Sequence, residues 1–219
     1  MRTLAERIEL FKNSDIYPVV SSDFCNGTDA CDIVASIAAG GAKIVQIREK
    51  HLSDAAVFEL VKRCKLITDK FKMLLIVDDR LDIAMAAGAD GVHLGQEDFP
   101  LIEAKKLAPE MIFGVSTHNA DEIKQALADG CGYLNIGPMF PTRTKSVPCG
   151  ALGLEKIEEL KSEVSCPFSV MGGIKEHHLE LLCAKGFRHI AMVTEITTAF
   201  DVEAKVRQLR SIMQGGRHE

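Results

Sequence analysis

No CxxC pair occurs among the seven cysteines, Cys25, Cys31, Cys64, Cys131, Cys149, Cys166 and Cys183. An odd, scattered set argues against a disulfide framework or a clustered zinc site. It fits reduced thiols, most of them packed as small core residues. Positive charge is not in excess either, since the formal net charge is −5. Without a global basic field to draw in a polyanion, nucleic acid is not an expected partner, and any anion site must be local. No apolar run is long enough to span a bilayer, and the opening MRTLAERIELFKNSD lacks an apolar signal core. The expectation is a cytoplasmic protein with no membrane partner. Linkers and low-complexity segments are also missing. Residues 1–219 therefore read as one domain, with a loose tail only at 214–219. Oligomeric state is left open, a homo-oligomer included.

What is present is a regular alternation. Apolar strand patterns fall at Tyr17–Ser21, Ile44–Arg48, Met73–Val77, Gly91–Leu94, Ile112–Ser116, Tyr133–Ile136, Pro167–Met171 and His189–Val193. Amphipathic helical patterns follow them, as at Ser53–Phe71, where Val57, Leu60, Val61, Cys64 and Ile67 share a face. Asn119-Ala-Asp-Glu122 resembles a capping box, and an extra helix, Leu4–Lys12, precedes the first strand. Eight such units in this length favour an α/β (β/α)8 TIM barrel with an additional N-terminal helix.

A weak internal repeat supports the barrel. Gly41, Gly88, Gly130 and Gly186 each end a helical pattern and lead into an even-numbered strand. Five residues past each glycine stand Gln46, His93, Asn135 and Ala191, and strand alternation puts them on a common face. Gln46, Arg48, His93 and Asn135 are expected to point into the barrel. There Gln46, His93 and Asn135 read first as a hydrogen-bonded polar layer.

Chemistry in such a barrel sits at the C-terminal ends of the strands. The second strand delivers Gln46, Arg48 and Lys50 on one side, and a buried arginine needs an anionic partner. The third ends Val77-Asp78-Asp79-Arg80, where adjacent carboxylates need a cation, or Arg80, to relieve them. Asp79 and Asp98, on neighbouring strand ends, either share a hard cation such as magnesium or cap helices. The fifth strand offers Ser116, Thr117 and His118, with no hydrolase triad spacing. After the sixth come Thr142, Arg143, Thr144 and Lys145, hydroxyls alternating with cations in a way that suits phosphate oxygens. Gly172-Gly173 lets backbone N–H groups approach an anion, at the address where barrels commonly bind phosphate.

QIREK, DDR…AAGADGVHLGQED, GVSTH, GPMFPTRTK and MGGI, spread over about Ile44 to Ile196, resemble the thiamine-phosphate synthase family in order and position. The resemblance implies a transferase that joins a hydroxymethylpyrimidine pyrophosphate to a thiazole phosphate, or its carboxylate form, with magnesium. It places Gln46, Arg48, Lys50 and Asp78 on the pyrimidine pyrophosphate, Ser116 on the pyrimidine and Lys145 on its pyrophosphate. Asp79 and Asp98 would ligate Mg2+. Thr142, Thr144, Gly173, Val193 and Thr194 would hold the thiazole phosphate, leaving Arg143 solvated.

The implied reaction is dissociative: pyrophosphate leaves first, and the thiazole nitrogen attacks the resulting pyrimidine methyl cation. Two positions depart from the family. It usually has Asn at Asp78, and Asn can donate to a phosphate oxygen where ionised Asp cannot. It also favours Ser-Ala-Ile where Thr194-Glu195-Ile196 stands, so Glu195 adds a negative charge near the phosphate. A related thiazole tautomerase would use His118 as its base, but has no need of Asp79 and Asp98 with Lys50 and Lys145. A non-catalytic phosphate-ligand binding protein is the remaining alternative.

Overall fold

The computed structural model describes residues 2–142, 144 and 150–215. Its strands are β1 Ile16–Val20, β2 Ile44–Ile47, β3 Leu74–Asp78, β4 Gly91–Leu94, β5 Ile112–Thr117, β6 Tyr133–Ile136, β7 Phe168–Val170 and β8 Ile190–Met192. All pair in parallel in chain order, and Ile16 of β1 lies opposite Ile190 of β8, which closes the barrel. The helices are α1 Leu4–Lys12, α2 Ala30–Ala39, α3 Asp54–Lys70, α4 Leu81–Ala87 and α5 Leu101–Leu107. They continue with α6 Ala120–Ala128, α7 Leu154–Lys161, α8 Leu179–Ala184, α9 Thr194–Thr197 and α10 Val202–Gly215. The (β/α)8 barrel and its extra first helix are as expected. Among the described residues, no helix is long and apolar enough to cross a membrane.

Alternation along the strands divides the core in two. Val45, Ile47, Leu75, Val77, Val92 and Leu94 face outward against the helices. Tyr17, Ile44, Leu74, Ile76, Ile112 and Tyr133 fill the lower barrel. The lower end is closed by α1, which starts at a Thr3/Glu6 capping box and carries Leu4, Ile8 and Phe11 on one face. Phe11 is fully buried, stacks on Tyr133 at 4.3 Å between centroids and meets the edge of Tyr17 at 6.2 Å. Gly114 of β5 makes room for Tyr133, because a Cβ there would lie 2.0 Å from the ring carbon Cζ.

Two local expectations change. At α6, Asn119 Oδ1 accepts from Glu122 N–H at 3.0 Å, but the Glu122 carboxylate accepts from the backbone N–H of His118 (2.7 Å) and the side-chain amide of Asn119 (2.7 Å), not from the Asn119 backbone N–H. Gln214 and Gly215, expected in a loose tail, belong to α10, where Gln214 Nε2 donates to buried Asp15 at 3.1 Å. Asp15 also accepts from Arg210 Nε at 3.0 Å, so this helix is pinned to the start of β1. Residues 216–219 of that expected tail lie outside the described residues.

Candidate active site

Asp78 is the last residue of β3 and lies opposite His93 of β4. Its carboxylate meets Lys50 Nζ at 3.0 Å and Arg48 Nε at 3.4 Å, with only 9% of the side chain exposed. Burial, then the neighbouring Asp79 charge, pushes the Asp78 carboxyl up to about 6 against the pull of Lys50 and Arg48. Asp79 occupies the left-handed region at φ +58°, unusual for a non-glycine residue, and its N–H donates to the His93 carbonyl at 2.8 Å. Lys50 Nζ also donates to Asp79 Oδ2. Burial opposes the lysine's charge, but the two aspartates outweigh it and lift its pKa above the ordinary value.

Asp98 accepts from the Gly95 N–H at 2.6 Å, and its carboxyl shares a hydrogen bond with Asp79. Burial raises the Asp98 pKa, with the Asp79 contact adding to it. At Asp79, hydrogen bonds from Lys50 and Asp98 outweigh burial and hold the pKa below normal. The two neighbouring carboxyls thus shift in opposite directions, Asp98 up and Asp79 down. Neither is a helix cap: α4 follows Arg80 and α5 follows Pro100, without side-chain caps. Nor does Arg80 relieve the adjacent Asp78 and Asp79, since it turns away to Asp54 and Asp82. Among the described residues no group of three or more His, Cys, Asp or Glu could enclose a metal. Two hard oxygen donors do fit magnesium, which leaves its other positions to water and substrate phosphates.

A cavity opens on the β5–β8 side of the same mouth. It is lined by Ser116, His118, Asn135, Thr142, Thr144, Gly172, Gly173, Lys175, Val193, Thr194 and Glu195, among others. The Thr142 and Thr144 hydroxyls lie 3.0 Å apart. Gly172 (φ +98°) and Gly173 (φ +63°) have a packing role as well as an open backbone. A Cβ on Gly173 would lie 2.5 Å from the Pro141 carbonyl, and Phe140 N–H donates to the Gly172 carbonyl at 2.9 Å. Lys145 lies outside the described residues, as do Arg143 and Cys149.

Lys175 and Asn135 were not singled out in these roles from sequence. Lys175 is the one Lys or Arg among the described lining residues. It reaches Thr194 Oγ1 at 3.3 Å and Glu195 at 3.2 Å. Glu195 also lies 3.8 Å from Lys205 of α10, so its charge is shared by two lysines. The MGGI motif pointed to the glycines, and the lysine immediately after them was the available signal. Asn135 was expected in a hydrogen-bonded layer, yet its buried Oδ1 has no partner among the described residues and the residue lines the cavity. Gln46 and His93 do belong to that layer: Gln46 Nε2 donates to Tyr17 OH, and His93 bridges Tyr133 OH and Ser116 Oγ. Ser116 is inward-facing, whereas Thr117 is fully buried on the opposite face of β5. His118 Nδ1 is held by the Glu122 carboxylate at 2.8 Å.

Paired cations and carboxylates on one side of the mouth, with a hydroxyl- and glycine-lined cavity on the other, define a phosphate-handling (β/α)8 barrel. A family model described as thiamine monophosphate synthase matches residues 16–196. The chain belongs to that family. It is 37% identical over 210 residues to thiamine-phosphate synthase of Caldicellulosiruptor saccharolyticus, covering 95% of each chain. With the thiamine-phosphate synthase of Dictyoglomus thermophilum it shares 36% over 211 residues, covering 96% of this chain and 95% of the relative. The solved thiamine phosphate pyrophosphorylase from Pyrococcus furiosus superposes with a TM-score of 0.86 at 30% identity. That match covers 94% of this chain and 98% of the other.

Proposed function

We propose that this enzyme transfers the pyrimidinylmethyl group of a hydroxymethylpyrimidine pyrophosphate to the ring nitrogen of a thiazole phosphate, or its carboxylate form, yielding thiamine phosphate and pyrophosphate. Family membership supports the reading. The observation that carries it is that one barrel mouth brings together a cation–carboxylate cluster and a hydroxyl- and glycine-lined cavity, which would take one substrate each. Arg48 and Lys50, already paired to Asp78, would exchange that carboxylate for pyrophosphate oxygens, with Lys145 added by resemblance. Gln46 and Ser116 would hold the pyrimidine beneath. Thr142, Thr144, Gly173, Val193 and Thr194 would bind the thiazole phosphate, joined by Lys175.

Asp79 and Asp98 would hold magnesium, which supplies charge neutralisation for the departing pyrophosphate. Arg48 and Lys50 stabilise the same growing charge from preset positions, so little reorganisation is needed as the bond breaks. The thiazole nitrogen, held close by its phosphate, then attacks the pyrimidine methyl cation. No side-chain nucleophile is required. A cytoplasmic location, with only small-molecule substrates as partners, belongs to the same proposal.

A thiazole tautomerase has one observation in its favour, the His118–Glu122 pair beside the cavity. That reading leaves the Lys50/Asp79/Asp98 cluster without a task. The deciding assay supplies both synthase substrates with magnesium and measures thiamine phosphate and pyrophosphate. Folded protein that forms neither product refutes the proposal. Asp98→Ala is expected to lose magnesium-dependent turnover, and full activity at low magnesium would refute the metal assignment.

A further inference from the structure

A line of buried polar groups crosses the barrel beneath the mouth. Gln46 Nε2 lies 2.9 Å from Tyr17 OH, which lies 2.8 Å from Tyr133 OH. Tyr133 OH is 3.1 Å from His93 Nδ1, and His93 Nε2 is 2.8 Å from Ser116 Oγ. None of the five residues is more than 5% exposed.

Such a line has a direction. An amide nitrogen only donates, so Gln46 donates to the Tyr17 oxygen. Tyr17 then gives its single hydrogen to Tyr133, and Tyr133 gives its own to His93 Nδ1. That nitrogen must be bare, which puts the imidazole hydrogen on Nε2 and directs it to Ser116 Oγ. Ser116 accepts from below, and its hydroxyl hydrogen is left to turn toward the cavity that it lines. Burial pushes both phenols above the ordinary tyrosine range, so each keeps the hydrogen this order requires.

We infer that Tyr17, Tyr133 and His93, with the order of their hydrogens set by the Gln46 amide, are positioning residues that fix Ser116 as a hydrogen-bond donor toward the mouth. The group Ser116 recognises is therefore an acceptor. In the reaction proposed above, on which only this identification rests, that acceptor is a ring nitrogen of the aminopyrimidine. A donor oriented before the substrate arrives loses little on binding, and a ring that offers a donor at this point would be rejected because two hydrogens would face each other.

The His93 tautomer reads the direction without any turnover. In two-bond 15N–1H correlation spectra of the labelled protein, assigned with His93→Gln, we expect one neutral tautomer protonated on Nε2. Tyr133→Phe removes the donor to Nδ1 and should abolish that single state. Wild-type His93 protonated on Nδ1, as in the reverse order with the Gln46 amide turned over, overturns the inference. So does an imidazolium.

In turnover assays Ser116→Ala and Tyr133→Phe should each raise KM for the pyrimidine pyrophosphate roughly five- to tenfold, the worth of about one hydrogen bond. KM for the thiazole phosphate should stay unchanged. If wild-type enzyme turns over and neither variant shifts the pyrimidine KM, the inference falls while the proposed function stands. If no turnover occurs, the proposed function falls and the tautomer still decides the inference.

Discussion

Replacing Asp78 by asparagine changes the electrostatics of the mouth without changing its shape. In the folded chain the Asp78 carboxyl is pushed from an ordinary 3.8 to about 6. Between those values the folded chain holds a proton that the unfolded chain has released. Stability therefore falls as pH rises through this window, and the penalty is fully present above it. A shift of roughly two units corresponds to about 3 kcal/mol. Asparagine mimics the protonated acid and never ionises, and water reaches the Arg48 and Lys50 side chains it leaves behind, which are 18% and 37% exposed. Asp78→Asn should therefore be more stable than wild type above pH 7, by up to ~3 kcal/mol, and the difference should vanish near pH 4. Urea unfolding at several pH values, with chelator present to exclude divalent cations, measures the gap. The same variant should bind pyrophosphate at least as tightly, because Arg48 and Lys50 no longer face a competing carboxylate. A less stable variant at pH 7.5, or a gap that does not change with pH, would refute the reasoning.

Two further perturbations test the remaining features. Lys175→Met removes the described cation of the cavity and should raise KM for the thiazole phosphate by roughly tenfold, as expected for losing one charge-assisted hydrogen bond. The KM for the pyrimidine pyrophosphate should not move, and an unchanged thiazole KM would remove Lys175 from the phosphate subsite. Gly114→Ala places a methyl group against the Tyr133 ring and should destabilise by about 1–3 kcal/mol through overpacking. Thermal unfolding measures it, and an unshifted Tm would mean the ring has room that the structure does not give it.

Much of the barrel was legible because parallel strands covered on both sides leave short apolar runs, and glycine at helix ends marks the return to the sheet. Alternation alone placed Gln46, Arg48 and His93 inside. Contacts set by closure of the barrel were not legible. Tyr17 and Tyr133 are 116 residues apart, and Asp15 reaches Arg210 across 195. Arg80 illustrates the same limit: its place beside two aspartates suggested an ion pair, but backbone direction at the start of α4 carries it to Asp82 and Asp54. The extra helix Leu4–Lys12 was legible, but not that its Leu4, Ile8 and Phe11 face covers the barrel's lower end.

That helix has a consequence for the floor of the site. Among the described residues, Phe11 stacks on Tyr133 and plugs the barrel from below. Tyr133 is at once the partner of Phe11 and a member of the hydrogen-bonded line that reaches Ser116. Loosening α1, far from every candidate ligand contact, would therefore be felt at Ser116 through the ring that it supports.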